Sequence, residues 1–103
     1  MKDLVLILYS REGCCLCEGL QKRLSRIPLD QLTPPLSLQV VDIDLPCTPE
    51  NIRSRYDQKV PVLAIWSLDL KLMTELPRVS PRLVEAGLLN WLQKFVSKVL
   101  LTD

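Results

Sequence analysis

Three cysteines occupy four consecutive positions of the chain, at Cys14, Cys15 and Cys17. The first and the last form a Cys-x-x-Cys pair at the start of a predicted helix, where free backbone N–H groups and the helix dipole favour an anion such as a thiolate. A cysteine in such a position can have its pKa lowered from about 8.5 into the range of about 3.5–7.5, which makes Cys14 a nucleophile at neutral pH. Cys17 lies on the same helical face one turn later, within reach of a mixed disulfide formed at Cys14. The spacing therefore predicts a nucleophile and a resolving thiol.

Each cysteine also has a plain structural interpretation, because free cysteine is among the most buried residue types. For Cys14 and Cys17 we favour the redox roles over a buried core position, because of their placement at a helix start. Cys15 cannot readily bridge an adjacent cysteine, and we interpret it as a spectator thiol. Cys47 follows the second predicted strand on the side of the Cys pair, where a small loop residue is favoured over a third redox thiol.

The composition narrows the classes of function. The chain has 103 residues, 48% of them hydrophobic and 24% charged, which predicts one folded domain over residues 1–103. The net charge of +1 and the few scattered aromatic residues give no support to nucleic-acid binding. No apolar stretch is long enough to span a membrane, and a strand predicted from residue 4 leaves no room for a signal peptide, so we expect a cytoplasmic protein with no membrane partner. The absence of histidine excludes Cys-His and Ser-His-Asp catalysis.

Hydrophobic patterning predicts the elements that position the Cys pair. Residues 4–8 are apolar throughout, as in a strand buried on both faces, which implies helices on both sides of the sheet. A helix is predicted over residues 15–26, ended by Pro28, and an alternating second strand over residues 36–43. A strand, a helix and a strand in this order make a parallel pair with a right-handed crossover.

Cap and turn signals divide the second half of the chain. Thr48 is predicted to cap a short helix over residues 49–56, which begins with proline. A third strand is predicted at residues 59–66, and a half-exposed edge strand at residues 70–76. A second cap signal, Ser80 followed by proline, predicts the start of the last helix. The apolar stripe of that helix comprises Val84, Leu88, Trp91, Leu92, Phe95 and Val99.

The resulting order β-α-β-α-β-β-α resembles the thioredoxin superfamily in its small glutaredoxin-like form. Three motifs carry the resemblance, namely Cys14-x-x-Cys17 after the first strand, the lead-in Tyr9-Ser10-Arg11, and Val60-Pro61 at the start of the third strand. The chain is most similar to a subset of small glutaredoxin-like proteins with a Cys-x-Leu-Cys motif. The resemblance implies an α/β, thioredoxin-like fold with a four-stranded mixed sheet in the order 2-1-3-4 and helices on both faces.

The resemblance also implies an activity and its residues. It implies a thiol-disulfide oxidoreductase that reduces protein or glutathione mixed disulfides, with Cys14 as nucleophile and Cys17 as resolving thiol. It implies a cis Val60–Pro61 bond, which in this family brings the backbone of the residue before proline beside the active cysteine, where it pairs with a substrate backbone. Arg11 falls on a lysine position of glutaredoxins, where it holds a substrate carboxylate, stabilises the thiolate or is simply a solvated loop charge.

Glutathione is the small-molecule partner that the resemblance implies, as reductant or co-substrate of a monomer with no bound cofactor. Residues 76–80 lack the glycine and aspartate that hold the γ-glutamyl end of glutathione in many glutaredoxins. Two other roles stay open. Cys14, Cys15, Cys17 and Cys47 form a soft-ligand set suited to Zn, Cu(I) or an iron–sulfur cluster. The unusual Cys-Leu centre is also compatible with an adaptor domain of low activity.

Overall fold

Strands and helices follow one another in the predicted order. The structure, a computed structural model, describes residues 4–32, 34–68, 71–80 and 82–101. The elements are β1 (Leu4–Ser10), α1 (Cys15–Arg26), β2 (Leu36–Asp42), α2 (Glu50–Tyr56), β3 (Val62–Ser67), β4 (Leu72–Glu75) and α3 (Glu85–Leu101), with a 3-10 turn at Leu29–Gln31 between α1 and β2. Among the described residues, no helix is both long enough and apolar enough to cross a membrane.

The sheet brings three chain segments to one edge. Its strand order is β2-β1-β3-β4, with β1 parallel to β2 and antiparallel to β3, so the predicted mixed sheet is confirmed. Ser10 pairs with Asp42, and therefore the carboxyl ends of β1 and β2 lie side by side. Tyr9 pairs with Val62, so β3 begins at this same edge. The loop before α1, the loop after β2 and the segment before β3 consequently meet there.

The alternating side chains of β1 supply two separate cores. Leu4, Leu6 and Leu8 pack into the larger core, which α1 and α3 cover. Ile7 and Tyr9 pack into the smaller core on the other face, together with Tyr56 of α2 and its neighbours. Helices therefore cover both faces of the sheet, as the unbroken apolar run of β1 predicts. The larger core takes its helical side chains from Leu20, Leu24, Leu88, Leu92, Val96 and Val99.

The last helix begins later than predicted. α3 starts at Glu85 rather than at Ser80, and Pro81, the proline of the predicted cap, lies outside the described residues. Ser80 forms a local turn instead, in which its Oγ accepts a hydrogen bond from the backbone N–H of Arg82 at 3.2 Å. The guanidinium of Arg23 on α1 donates to the carbonyl oxygens of Ser80 and Leu83, which ties this segment to α1 rather than to a helix of its own.

The predicted stripe on α3 is confirmed except at its first residue and at one missed position. Leu88, Leu92 and Val99 are buried. Val84 precedes the helix and is 68% exposed, so its assignment to the stripe is wrong. Val96, which the prediction left out, is fully buried because it lies one turn beyond Leu92 on the same face.

The start of α2 is also shifted, by one residue. Pro49 occupies the N-cap position, and the helix proper begins at Glu50. Thr48 is not the cap, because its hydroxyl donates a hydrogen bond to the carbonyl oxygen of Asp42 at 2.7 Å and thereby closes the loop after β2. β4 is an edge strand as predicted, although it spans only Leu72–Glu75, and residue 70, with which the predicted strand begins, lies outside the described residues.

Candidate active site

The Cys pair lies at the start of α1, after the short loop that follows β1. Cys14 is the N-cap residue of α1 in an extended conformation, and Gly13 before it has φ +83, a left-handed conformation that glycine adopts without strain. Cys14 Sγ accepts a hydrogen bond from the backbone N–H of Cys17 at 3.2 Å. The two sulfurs are bonded as a disulfide with the Cα atoms 5.2 Å apart, inside the usual range. The predicted pairing of these two cysteines at a helix start is therefore seen in the structure.

The two sulfurs differ in access to solvent. Cys14 is partly exposed, whereas Cys17, in the first turn of α1, is only 2% exposed. In the reduced protein the N–H of Cys17 would donate to a Cys14 thiolate, and a charge-assisted hydrogen bond of this kind stabilises the anion. Glu12 and Glu18 are both exposed, so solvent and salt screen the repulsion between their carboxylates and a thiolate. The arrangement suits attack by the outer sulfur and resolution by the inner one.

The segment before β3 lies against α1. The Val60–Pro61 bond is cis, as the resemblance implied. Pro61 lines a cavity of about 90 Å³ together with Leu16 and Leu20 of α1. Because Leu16 stands between the two cysteines in sequence, this cavity joins Pro61 to the helix start that carries the Cys pair.

Arg11 sits at the same edge of the sheet and is held by two aspartates. Its Nε and Nη2 donate to the two carboxylate oxygens of Asp44, each at 2.9 Å. Nη2 also donates to Asp57 Oδ1 at 2.8 Å, and Nη1 donates to the carbonyl oxygen of Asp57 at 2.6 Å. The hydrogen bonds with Asp44 raise the pKa of Arg11 and hold the pKa of the Asp44 carboxyl below its usual range. These bonds tie the loop before the Cys pair to the loop after β2 and to the end of α2.

Sequence reasoning did not find this pairing. It treated Arg11 as a substrate contact, a partner of the thiolate or a solvated charge, and its role toward a substrate stays a prediction. Asp44 and Asp57 lie 33 and 46 positions away from Arg11 along the chain. The sequence did contain a signal for the pairing of Arg11 with Asp44. Asp44 directly follows the second predicted strand, and the end of that strand was expected beside the Cys pair.

The two remaining cysteines are free thiols. Cys15 and Cys47 are both exposed. Within residues 4–32, 34–68, 71–80 and 82–101, no three Cys, Asp or Glu side chains are grouped so that they could hold a metal ion. The metal-binding alternative therefore gains no support from the described side chains.

A pair of tyrosines packs behind the site, on the α2 face of the sheet. The rings of Tyr9 and Tyr56 lie 4.7 Å apart between centroids, and both residues are buried, which confirms the core packing predicted for Tyr9. The Tyr56 hydroxyl donates to Glu75 Oε1 at 2.8 Å, whereas the Tyr9 hydroxyl contacts the sulfur of Met73 at 3.5 Å. Burial, with the bond to Glu75, raises the pKa of Tyr56 to about 12.

A mixed sheet in the order β2-β1-β3-β4, with helices on both faces and a Cys-x-x-Cys pair at the start of α1, defines a thioredoxin-like fold. The comparisons with known proteins agree. The model of the Glutaredoxin-like domain family (DUF836) matches residues 5–93, and the chain belongs to this family. No curated protein matches the chain.

One solved structure that resembles this chain is described as the structure of a malarial protein. The two share 17% sequence identity with a TM-score of 0.57, over 89% of this chain and 96% of that one. At this level of identity the likeness concerns the fold alone.

Proposed function

We propose that the chain is a thiol-disulfide oxidoreductase that reduces protein or glutathione mixed disulfides in the cytoplasm. The observation that carries the proposal is the unequal access of the two bonded sulfurs, since Cys14 is partly exposed and Cys17 is 2% exposed. An attacking thiolate must reach a substrate sulfur, whereas a resolving thiol must reach only the attacking one. The family membership supports a redox role in general terms.

The proposed reaction moves two electrons from the Cys pair to the substrate. The Cys14 thiolate attacks one sulfur of the substrate disulfide, forms a mixed disulfide and releases the first substrate thiolate. Cys17, as a thiolate, then attacks Cys14 Sγ, so that the mixed disulfide breaks and the second substrate thiolate leaves. Both released thiolates take up protons from solvent. Two molecules of a low-molecular-weight thiol such as glutathione reduce the Cys14–Cys17 disulfide again and leave as their own disulfide.

In this proposal the substrate lies between the Cys pair and the start of β3. The backbone of Val60 pairs with an extended substrate backbone, and Pro61 forms part of the wall that the substrate contacts. The cavity that Pro61 shares with Leu16 supports this placement. Arg11 offers its remaining Nη1 hydrogen to a substrate carboxylate, because its other donors already bond to aspartates. The protein acts as a monomer, and no bound cofactor takes part.

The test measures how fast glutathione reduces a peptide mixed disulfide in the presence of the protein. It compares the unaltered protein with variants in which one cysteine at a time is replaced by serine. Cys14→Ser should abolish turnover, and Cys17→Ser should accumulate a mixed disulfide at Cys14 that mass spectrometry detects. Cys15→Ser and Cys47→Ser are matched controls, because both thiols are exposed and free, and each should retain turnover. Full activity in Cys14→Ser would refute the proposal, and so would a bond from Cys15 or Cys47 in place of the Cys14–Cys17 disulfide.

A further inference from the structure

A groove runs alongside the cis proline. The cavity of about 90 Å³ that touches Leu16 and a second cavity of about 190 Å³ share Pro61, Arg78 and Val79 in their walls. The second cavity extends to Lys59, at the other side of the proline segment. The two cavities therefore make one groove that begins beside the Cys pair and follows the segment leading into β3.

The groove is lined by three cations at different points along its length. Arg23 lines the cavity nearest the Cys pair, Arg78 lines both cavities, and Lys59 lines the far one. Arg78 Nη1 lies 3.4 Å from the carbonyl oxygen of Lys59, which places the guanidinium within one residue of Val60. Arg23 bonds only to carbonyl oxygens among the contacts described, so its charge is not neutralised by them.

Among the described residues of the groove wall, the one carboxylate is already paired. Glu75 Oε1 accepts a hydrogen bond from the Tyr56 hydroxyl at 2.8 Å and forms an ion pair with Arg55 at 3.4 Å. Within the described part of the chain, no carboxylate forms an ion pair with any of the three groove cations. The groove consequently presents an excess of positive charge to whatever lies in it, over an apolar floor that includes Leu76 and Val79.

We propose that this groove binds an acidic polypeptide segment next to the disulfide that Cys14 attacks, so that the preferred substrates are proteins with Asp or Glu near the reacting cysteine. The inference rests on the proposed function and names its substrate class. An extended segment presents every second side chain to the same side, which allows several carboxylates to meet cations spread along one groove. Lys59 and Arg78 are exposed at the groove rim, so the main effect of their charges is to steer the encounter and to select the partner.

The test compares three disulfide-bearing peptides that differ only in the residues flanking the cysteine, with a fourth substrate that differs in its disulfide partner. One peptide carries Asp and Glu, the second Ser and Gln, the third Lys, and a fourth is the neutral peptide as its glutathione mixed disulfide. We expect kcat/KM for the acidic peptide to exceed that for the basic one by about tenfold at low salt, and this ratio to shrink as NaCl screens the charges.

Charge-removing variants locate the effect. Lys59→Gln and Arg78→Gln should each lower kcat/KM for the acidic peptide by about threefold or more and leave the basic peptide unharmed, as expected for rim charges. Lys94→Gln on the exposed side of α3 is the matched control and should change neither value. All three positions are exposed, and urea denaturation checks that each variant folds.

The outcomes separate the two proposals. If all peptides are turned over at equal rates and this turnover requires Cys14, the groove inference is wrong. The proposal that the protein is an oxidoreductase then still holds. No turnover of any peptide overturns the oxidoreductase proposal itself. If Lys59→Gln and Arg78→Gln impair only the glutathione mixed disulfide, the groove serves glutathione and the acidic-segment inference is wrong.

Discussion

Replacing Tyr56 by phenylalanine removes one hydroxyl and keeps the ring that stacks on Tyr9. The hydroxyl is buried with its residue, which is 4% exposed, and it donates to Glu75 at 2.8 Å. A hydrogen bond to a charged group stabilises a protein by roughly 1.5–3 kcal/mol. The Glu75 side chain is 40% exposed and keeps Arg55 as a partner, so the carboxylate left behind is rehydrated rather than stranded. We therefore expect Tyr56→Phe to lower the free energy of unfolding by about 1–2 kcal/mol at pH 7.

The hydrogen bond between Tyr56 and Glu75 also affects how stability depends on pH in alkaline solution. The folded protein holds the Tyr56 proton up to a pKa of about 12, whereas an unfolded tyrosine loses it near a pKa of 10. Between these values the unfolded chain binds fewer protons than the folded one, so stability falls as pH rises. The contribution is fully present below pH 10, and most of a loss on the order of 2–3 kcal/mol has occurred by pH 12. Tyr56→Phe lacks this loss, although Tyr9, whose pKa burial also raises, leaves a smaller slope in both proteins.

Urea denaturation at pH 7 and at steps from pH 9 to 12 measures both effects. Tyr9→Phe is the matched control, because the partner that the described residues offer its hydroxyl is the thioether of Met73 at 3.5 Å, a weak acceptor. We expect its loss at pH 7 to be smaller than that of Tyr56→Phe. Equal stability of Tyr56→Phe and the unaltered protein at pH 7, with equal slopes above pH 10, would refute the reasoning.

Two further predictions concern the loop before the Cys pair, and a third concerns α1. Arg11→Lys and Asp57→Ala should each lower kcat/KM in the disulfide-reduction assay, and the double variant should lose little more than Arg11→Lys alone, since Arg11→Lys already breaks the contact with Asp57 Oδ1; an improved KM in Asp57→Ala would show instead that the aspartate competes with substrate for the guanidinium. Gly13→Ala should destabilise the protein by about 1–2 kcal/mol because φ is +83 there, although space is open around it. Gly19→Ala, inside α1 and also in open space, should stabilise it by about 0.5–1 kcal/mol, and urea denaturation of both variants checks the contrast; destabilisation by Gly19→Ala would contradict it.

Much of the fold was predictable because local signals agree. α1 spans the predicted residues 15–26, since the helical periodicity and Pro28 set its end and the cysteines mark its start. The continuous apolar run at the start of the chain correctly indicated a central strand with helices on both faces. The pairing of Cys14 with Cys17 was also predictable, because both cysteines belong to one helical turn.

The errors at the starts of α2 and α3 share a physical origin, namely side-chain hydrogen bonds to backbone carbonyl oxygens outside the helix concerned. The start of α3 was missed because Arg23, on another helix, bonds to the carbonyl oxygens of Ser80 and Leu83. The start of α2 was missed because the Thr48 hydroxyl bonds back to the end of β2. The pairing of Arg11 joins three loops that only the finished sheet brings together. Propensity and spacing describe neighbours along the chain and carry no record of such partners.

The sulfur that caps the start of α1 is also the sulfur that would exchange partners, and this makes one backbone amide a natural reporter. The N–H of Cys17 donates to Cys14 Sγ, so its acceptor is in turn a thiolate, a substrate-bound sulfur or a disulfide sulfur. These acceptors differ in charge, and therefore the nitrogen and proton chemical shifts of this amide should change with each step. Its hydrogen exchange with deuterated water should be slowest when the acceptor is the thiolate. The progress of the cycle would then be visible by NMR on the main chain, with no chemical probe attached to either cysteine.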